Sequence, residues 1–259
     1  MGSMMAFMKK FIALLLLVLL QFIFVPVPKA YAATAPNLGA IDSYSVFADS
    51  GITETAGQTS HLWGNVGDNA SGHASLIDSQ VDGTLYDVSQ PTVVSARIAA
   101  YNALAAQTQT GAIDLADSPT VGPGVYNVGA TAFNTTLTLN GDGVYIFRST
   151  SSIAQTAGGT MLLTNGATAC NVFWQIPAAM TFAATGSIQG TIITNTENIT
   201  FVSGVSLKGR ALAYSQVTMD NNQITQPVCT AAADASLTLT SAEGLLHHIV
   251  HLPITLRRS

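Results

Sequence analysis

The sequence predicts an all-β solenoid, a parallel β-helix in which short strands stack coil upon coil. Three observations carry this expectation. Residues 171–189, 190–208 and 209–225 repeat with a period near 19, and repeats of about 20 residues mark solenoid architectures. Inside each repeat, apolar and small polar residues alternate with the period of two that a half-buried strand requires. Gly, Asn and Ser fall between the alternating runs, where the chain must turn. A coil of this length leaves about six residues for each of three sides, each a short strand and a corner. Stacked coils would lie at the ordinary strand spacing of roughly 4.7–4.9 Å.

Residues 1–32 read as a secretory signal. Lys9 and Lys10 precede an apolar run over residues 11–20, and Ala30-Tyr31-Ala32 offers a small-x-small cleavage site. Pro26 and Pro28 end the apolar run short of the ~20 residues needed to span a bilayer. The expectation is a secreted domain over residues 33–229 with no membrane association after cleavage. The two cysteines, Cys170 and Cys229, both lie in that domain. In an oxidising compartment such a pair predicts a disulfide stapling the body to the end of the domain. Neither has a CxxC partner or a nearby His, which disfavours zinc and thiol chemistry.

Residues 33–89 offer short strands broken by Gly and Asn, such as Tyr44-Ser-Val-Phe47 and Ile52-Thr-Glu-Thr55. Residues 91–107 are Ala-rich and open on Pro91, with Val94, Ile98, Tyr101 and Ala105 on one stripe, and so predict a helix with one packed face. In the repeats, Thr181 falls on Thr200 and, with one deletion, on Thr218. Residues 136–140 and 152–156 read as earlier copies, set apart by an insertion around residues 163–167. Alternation puts Leu137, Leu139, Ile153, Met180, Phe182, Ile199, Phe201, Val217 and Met219 in the lumen. It turns Thr138, Ala154, Thr181, Thr200 and Thr218 outward.

Only 9% of the 259 residues are charged, with 9 Lys and Arg against 14 Asp and Glu and a net charge of −5. Without a basic surface, neither a nucleic acid nor an anionic membrane is a partner. A mean hydropathy of +0.37 reflects abundant Ala, Thr, Ser and Gly, so the chain is uncharged rather than greasy. A column of threonines on a rigid solenoid presents methyls and hydroxyls at the strand spacing, close to the oxygen repeats of ice. Such a face would order a layer of water that merges with a growing crystal. Charged groups hold hydration shells of their own and would break that layer up.

Several segments carry a family resemblance: residues 38–48, Gly122-Pro-Gly-Val-Tyr126, residues 137–147, Cys170-Asn-Val-Phe-Trp-Gln175, Gly209-Arg-Ala-Leu-Ala213 and Met219-Asp-Asn-Asn-Gln-Ile-Thr225. Through them the chain resembles the microbial ice-binding (antifreeze) protein family from about Asn37 to Cys229. The resemblance implies a right-handed β-helix of triangular section with one long α-helix packed along a side, completed out of sequence order by N-terminal strands. It also implies an ice crystal surface as partner, thermal hysteresis, inhibition of recrystallisation, and no catalysis, cofactor or metal, and the expected state is a monomer. A Thr-(Ala/Gly)-x-(Thr/Asn) motif marks the ice-facing side in some members. Thr185-Gly-Ser-Ile188 and Ser203-Gly-Val-Ser206 match it in part, whereas Thr131-Ala-Phe-Asn134 matches fully but lies outside the repeats.

Two adjacent sides compete for the ice-binding role. One is the column Thr138, Thr181, Thr200 and Thr218 with corner residues Thr156, Thr185 and Ser203. The other carries Ser187, Gln189 and Thr191, whose equivalents one coil on are Ser206, Lys208 and Arg210. The two cations favour the first column. The acids are scattered and recur on no single column, which excludes the carboxylate cluster of a polysaccharide lyase or hydrolase. An extracellular adhesin or glycan-binding module is the alternative, although no outward aromatic stripe is evident. Residues 230–259, with His247 and His251 one helical turn apart, form a tail of unassigned role.

Overall fold

The computed structural model describes residues 32–55, 57, 59–70, 76–129, 132–183 and 186–229. The expected secretory segment, apart from Ala32, and the tail over residues 230–259 lie outside the described residues. The described residues up to Gln226 form one compact unit, and within it the strands build a three-sided parallel β-helix.

Each coil visits the three sides in the same order. One coil runs through Val172–Ile176, Met180–Phe182 and residues 187–189; the next through residues 191–194, Ile199–Phe201 and residues 206–208; the next through residues 210–213, Gln216–Met219 and Gln223–Thr225. The strands Ser187–Thr194 and Ser206–Ala213 are long because each turns a corner without breaking, at Gly190 and Gly209. Gly190 has φ +102°, and a Cβ on Gly209 would collide with the Gly190 backbone, so stacked glycines are obligatory at this corner.

The chain enters its own stack in the middle. Tyr44–Ala48, Gly51–Glu54 and His61–Trp63 lie on the C-terminal coil on all three sides, pairing Val46 with Ala211, Ile52 with Val217 and Leu62 with Ile224. The helix Pro91–Ala105 precedes a fresh start at the opposite edge of the sheet, Gly111–Ile113, from which the coils climb back toward the N-terminal strands. This is the out-of-order completion the resemblance implies.

All nine expected lumen residues are buried. Phe182 and Phe201 stack at 4.9 Å between ring centres, and Phe147 lies 4.5 Å from Trp174, whose Nε1 donates to the Gln189 carbonyl at 3.1 Å. Like side chains thus stack on like from level to level, the close packing a protein interior requires.

Two expectations require correction. The helix packs through Val93, Arg97, Ala100, Tyr101 and Leu104, not through the stripe of Val94, Ile98, Tyr101 and Ala105; Ile98 is 42% exposed. The packed stripe shares only Tyr101 with the expected one. Sequence reasoning places an arginine in water, because an unpaired buried charge is prohibitively costly. Arg97 is nevertheless fully buried, donating to Asp49 from Nε at 3.1 Å and Nη2 at 2.6 Å and to the Thr194 carbonyl from Nη1 at 2.8 Å. The second correction concerns residues 136–140, which belong to a separate sheet with Thr120–Val121 and Thr160–Thr164. The strand level with Thr181 is instead Ala132–Phe133, by way of Ala154.

Candidate functional site

The second side of the coil is a six-stranded parallel sheet, in order Ala132–Phe133, Ile153–Gln155, Met180–Phe182, Ile199–Phe201, Gln216–Met219 and Gly51–Glu54. Short strands of two to four residues leave one outward position each. Register places Ala132, Ala154, Thr181, Thr200, Thr218 and Thr53 in a single row. Their neighbours along the strand turn inward and are buried, which fixes each β-branched threonine against a packed floor.

The hydroxyls of Thr53, Thr181, Thr200 and Thr218 make no hydrogen bond to the described protein and are left to solvent. Other threonines are not so placed: Thr55 donates to the Met219 carbonyl at 3.1 Å and Thr194 to the Glu197 carbonyl at 2.8 Å. Beyond the central row, the backbone ladder continues through Thr156, Ala183, Val202 and Thr55, whose N–H groups bond to the preceding strand. Val202 is 41% exposed, so this margin of the face carries methyl as well as hydroxyl groups. The one acid at this margin is Asp220, half-buried two residues beyond Thr218.

Of the sequence-predicted residues, Thr181, Thr200 and Thr218 share this row. Thr156 is exposed at its edge and Ser203 is half-buried in the turn beyond it. Thr185 lies outside the described residues. Thr138 is corrected to the third side, opposite Thr120 and Leu162. Its Leu-Thr-Leu pattern matches Met-Thr-Phe because all sides share the same in-and-out alternation, so alternation alone cannot tell one side from the next.

Ser187 is exposed on the third side, but Thr191, around the Gly190 corner, is completely buried and accepts a hydrogen bond from Arg210 Nη1 at 3.3 Å. It cannot touch an external surface. Arg210 is buried too, and its Nη2 donates to Asp42 at 2.6 Å. Burial lowers the Arg210 pKa from its ordinary value, and Asp42 opposes that shift. Only Lys208 of the two expected cations is therefore exposed.

Sequence reasoning missed Thr53. The stretch Ile52-Thr-Glu-Thr55 has the same alternation as Ile199-Thr-Phe201, but it stands some 165 residues from Thr218, and only out-of-order stacking brings them together. Thr131-Ala-Phe-Asn134 is likewise corrected: Ala132–Phe133 lies inside the stack, as an edge strand of the second side. Both cysteines are disulfide-bonded. Among the described residues, no three His, Cys, Asp or Glu side chains converge to hold a metal.

A three-sided parallel β-helix, completed by its own N-terminal strands and carrying one flanking helix, defines a class of solenoid that displays flat sides. The chain belongs to the ice-binding-like family, whose model matches residues 46–225, and it is not an enzyme. An ice-binding protein of a Colwellia species is 28% identical over 216 residues, spanning 74% of this chain and 84% of that one. An ice-binding protein structure from an Antarctic Flavobacteriaceae bacterium superimposes with a TM-score of 0.68 at 30% identity, covering 77% of this chain and 49% of that longer one. One from the Antarctic ascomycete Antarctomyces psychrotrophicus has a TM-score of 0.65 at 27% identity, covering 76% of this chain and all of that one. These relatives share the β-helix with a single helix seen here.

Proposed function

We propose that this chain is an exported ice-binding protein that adsorbs through the second side of its β-helix. The row Thr53, Thr218, Thr200 and Thr181, with its free hydroxyls and absence of charge, carries the reading. Each hydroxyl anchors one water, each methyl cages its neighbours, and the strand spacing of about 4.7–4.9 Å repeats that unit across the face. Stiff β-branched side chains on a packed floor lose little entropy when the water layer freezes onto the crystal. An adsorbed molecule pins the crystal front, which must bulge between pinning points. Curvature then lowers the freezing point and slows recrystallisation.

The third side is the weaker surface for this purpose. It carries exposed Lys208 and exposed Asp82, the latter 3.2 Å from His61 Nε2, each charge with its own hydration. Removal of the segment before residue 33 frees the domain, which works as a secreted monomer without cofactor and needs neither nucleic acid nor membrane.

Replacing Thr200 by Tyr sets a ring on the flat row. We expect Thr200→Tyr to cut thermal hysteresis severalfold while the melting temperature stays near that of the parent, because position 200 faces outward. Full activity in the Thr181→Tyr, Thr200→Tyr double variant would mean that another side meets the ice.

A further inference from the structure

The third side presents chemistry that ice adsorption does not use. Register aligns Lys208, Thr225, Trp63 and Asp82 in one outward column on four successive strands. Gln223 and His61 stand beside it, two residues back along the same strands. Trp63 is the one tryptophan that reaches solvent, since Trp174 is fully buried. Its indole is held against the His61 ring, 4.2 Å between centres at 41°. His61 Nε2 lies 3.2 Å from Asp82 Oδ2, so the polar groups around the ring are tied in place.

We propose that this column is a binding platform for an uncharged polysaccharide, seated on Trp63 and running across the strands. A pyranose ring has an apolar C–H face and a rim of hydroxyls. An aromatic face flanked by side chains that both donate and accept is its complement. Gln223, Thr225 and His61 supply both kinds of group; Asp82 accepts and Lys208 donates. The single cation and single anion of the column cancel, so the platform offers no net charge to draw a polyanion. A strand step of roughly 4.7–4.9 Å is close to the length of one sugar unit, so an extended chain meets a new side chain at each ring. The platform lies on a different side from the threonine row, leaving that row open to ice.

The test uses the exported chain with insoluble cellulose, insoluble chitin and, as the charged control, alginate, alongside tryptophan emission titrated with cellohexaose and chitohexaose. Depletion of the protein by cellulose or chitin is expected, together with a change in emission. Trp63→Ala should weaken binding about tenfold or more, the loss that goes with deleting an aromatic anchor. Trp63→Tyr should retain most of it. Ice uptake should be unchanged in Trp63→Ala, which separates this platform from the threonine row. The platform is refuted if neither neutral polysaccharide binds, if Trp63→Ala binds as well as the parent, or if only alginate binds and salt abolishes it.

Discussion

At the scale of single residues, the most consequential side chain is one that never meets a ligand. Arg97 ties the helix to the coil through Asp49, whose side chain is 15% exposed. Burial raises the Asp49 pKa and the hydrogen bond and charge of Arg97 pull it back, so the carboxylate is tolerated there only because of its partner. Arg97→Ala leaves that carboxylate stranded. We expect a loss of about 3 kcal/mol, which for a domain of this size lowers the melting temperature by roughly 6–12 °C, with hysteresis of the still-folded protein near 0 °C unchanged. A second substitution, Asp49→Ala, should recover part of the loss; calorimetry of the two variants decides it. None of this was legible in the sequence, where an arginine in an alanine-rich helix reads as a solvent residue. Thr181, Thr200 and Thr218 were legible, because a 19-residue register exposes them directly.

At the scale of elements, the strand faces could be read and their assignment to sides could not. Alternation told which residues of 137–139, 180–182 and 199–201 point inward, and burial agrees in each case. It gave no count of corners, so Thr138 was moved one side round. The helix illustrates a different failure. Its length and Pro91 start were visible, but alanine has too little apolar contrast to define a stripe, and the packed face was set by Tyr44, Phe47, Val125, Ile146 and Phe173 beneath it. That interface also predicts an alkaline limit. Burial, with a smaller contribution from Tyr86, pushes the Tyr44 pKa up to about 12, and burial raises Tyr101 despite its hydrogen bond with Gln175. Between pH 10 and about 12 the unfolded chain has released protons that the native phenols keep. Stability is therefore whole below pH 10 and falls as pH rises through that window, by about 2–3 kcal/mol for Tyr44 alone. Unfolding monitored against pH should show the loss, and Tyr44→Phe should move its onset upward.

At the scale of the whole molecule, an out-of-order stack sets the width of the threonine row. The N-terminal coil adds Thr53 beside Thr218, so the row gains its fourth consecutive hydroxyl from a segment that leaves the stack before the helix begins. A repeat search finds coils that follow one another in the chain and is blind to one delivered from the other end. Low charge, by contrast, was plain from composition, and the fold keeps what charge there is off the central threonine row. Arg97 and Arg210 are buried and paired with Asp49 and the exposed Asp42, and Lys208 and the His61–Asp82 pair stand on the third side. The second side is left with a central row free of charge. That distribution makes one experiment decisive. A hemisphere of ice grown slowly from a solution of the fluorescently labelled protein should take the protein up into the solid, and the Thr181→Tyr, Thr200→Tyr variant should be left largely in the liquid. Exclusion of the parent protein from the ice would contradict the account at its centre.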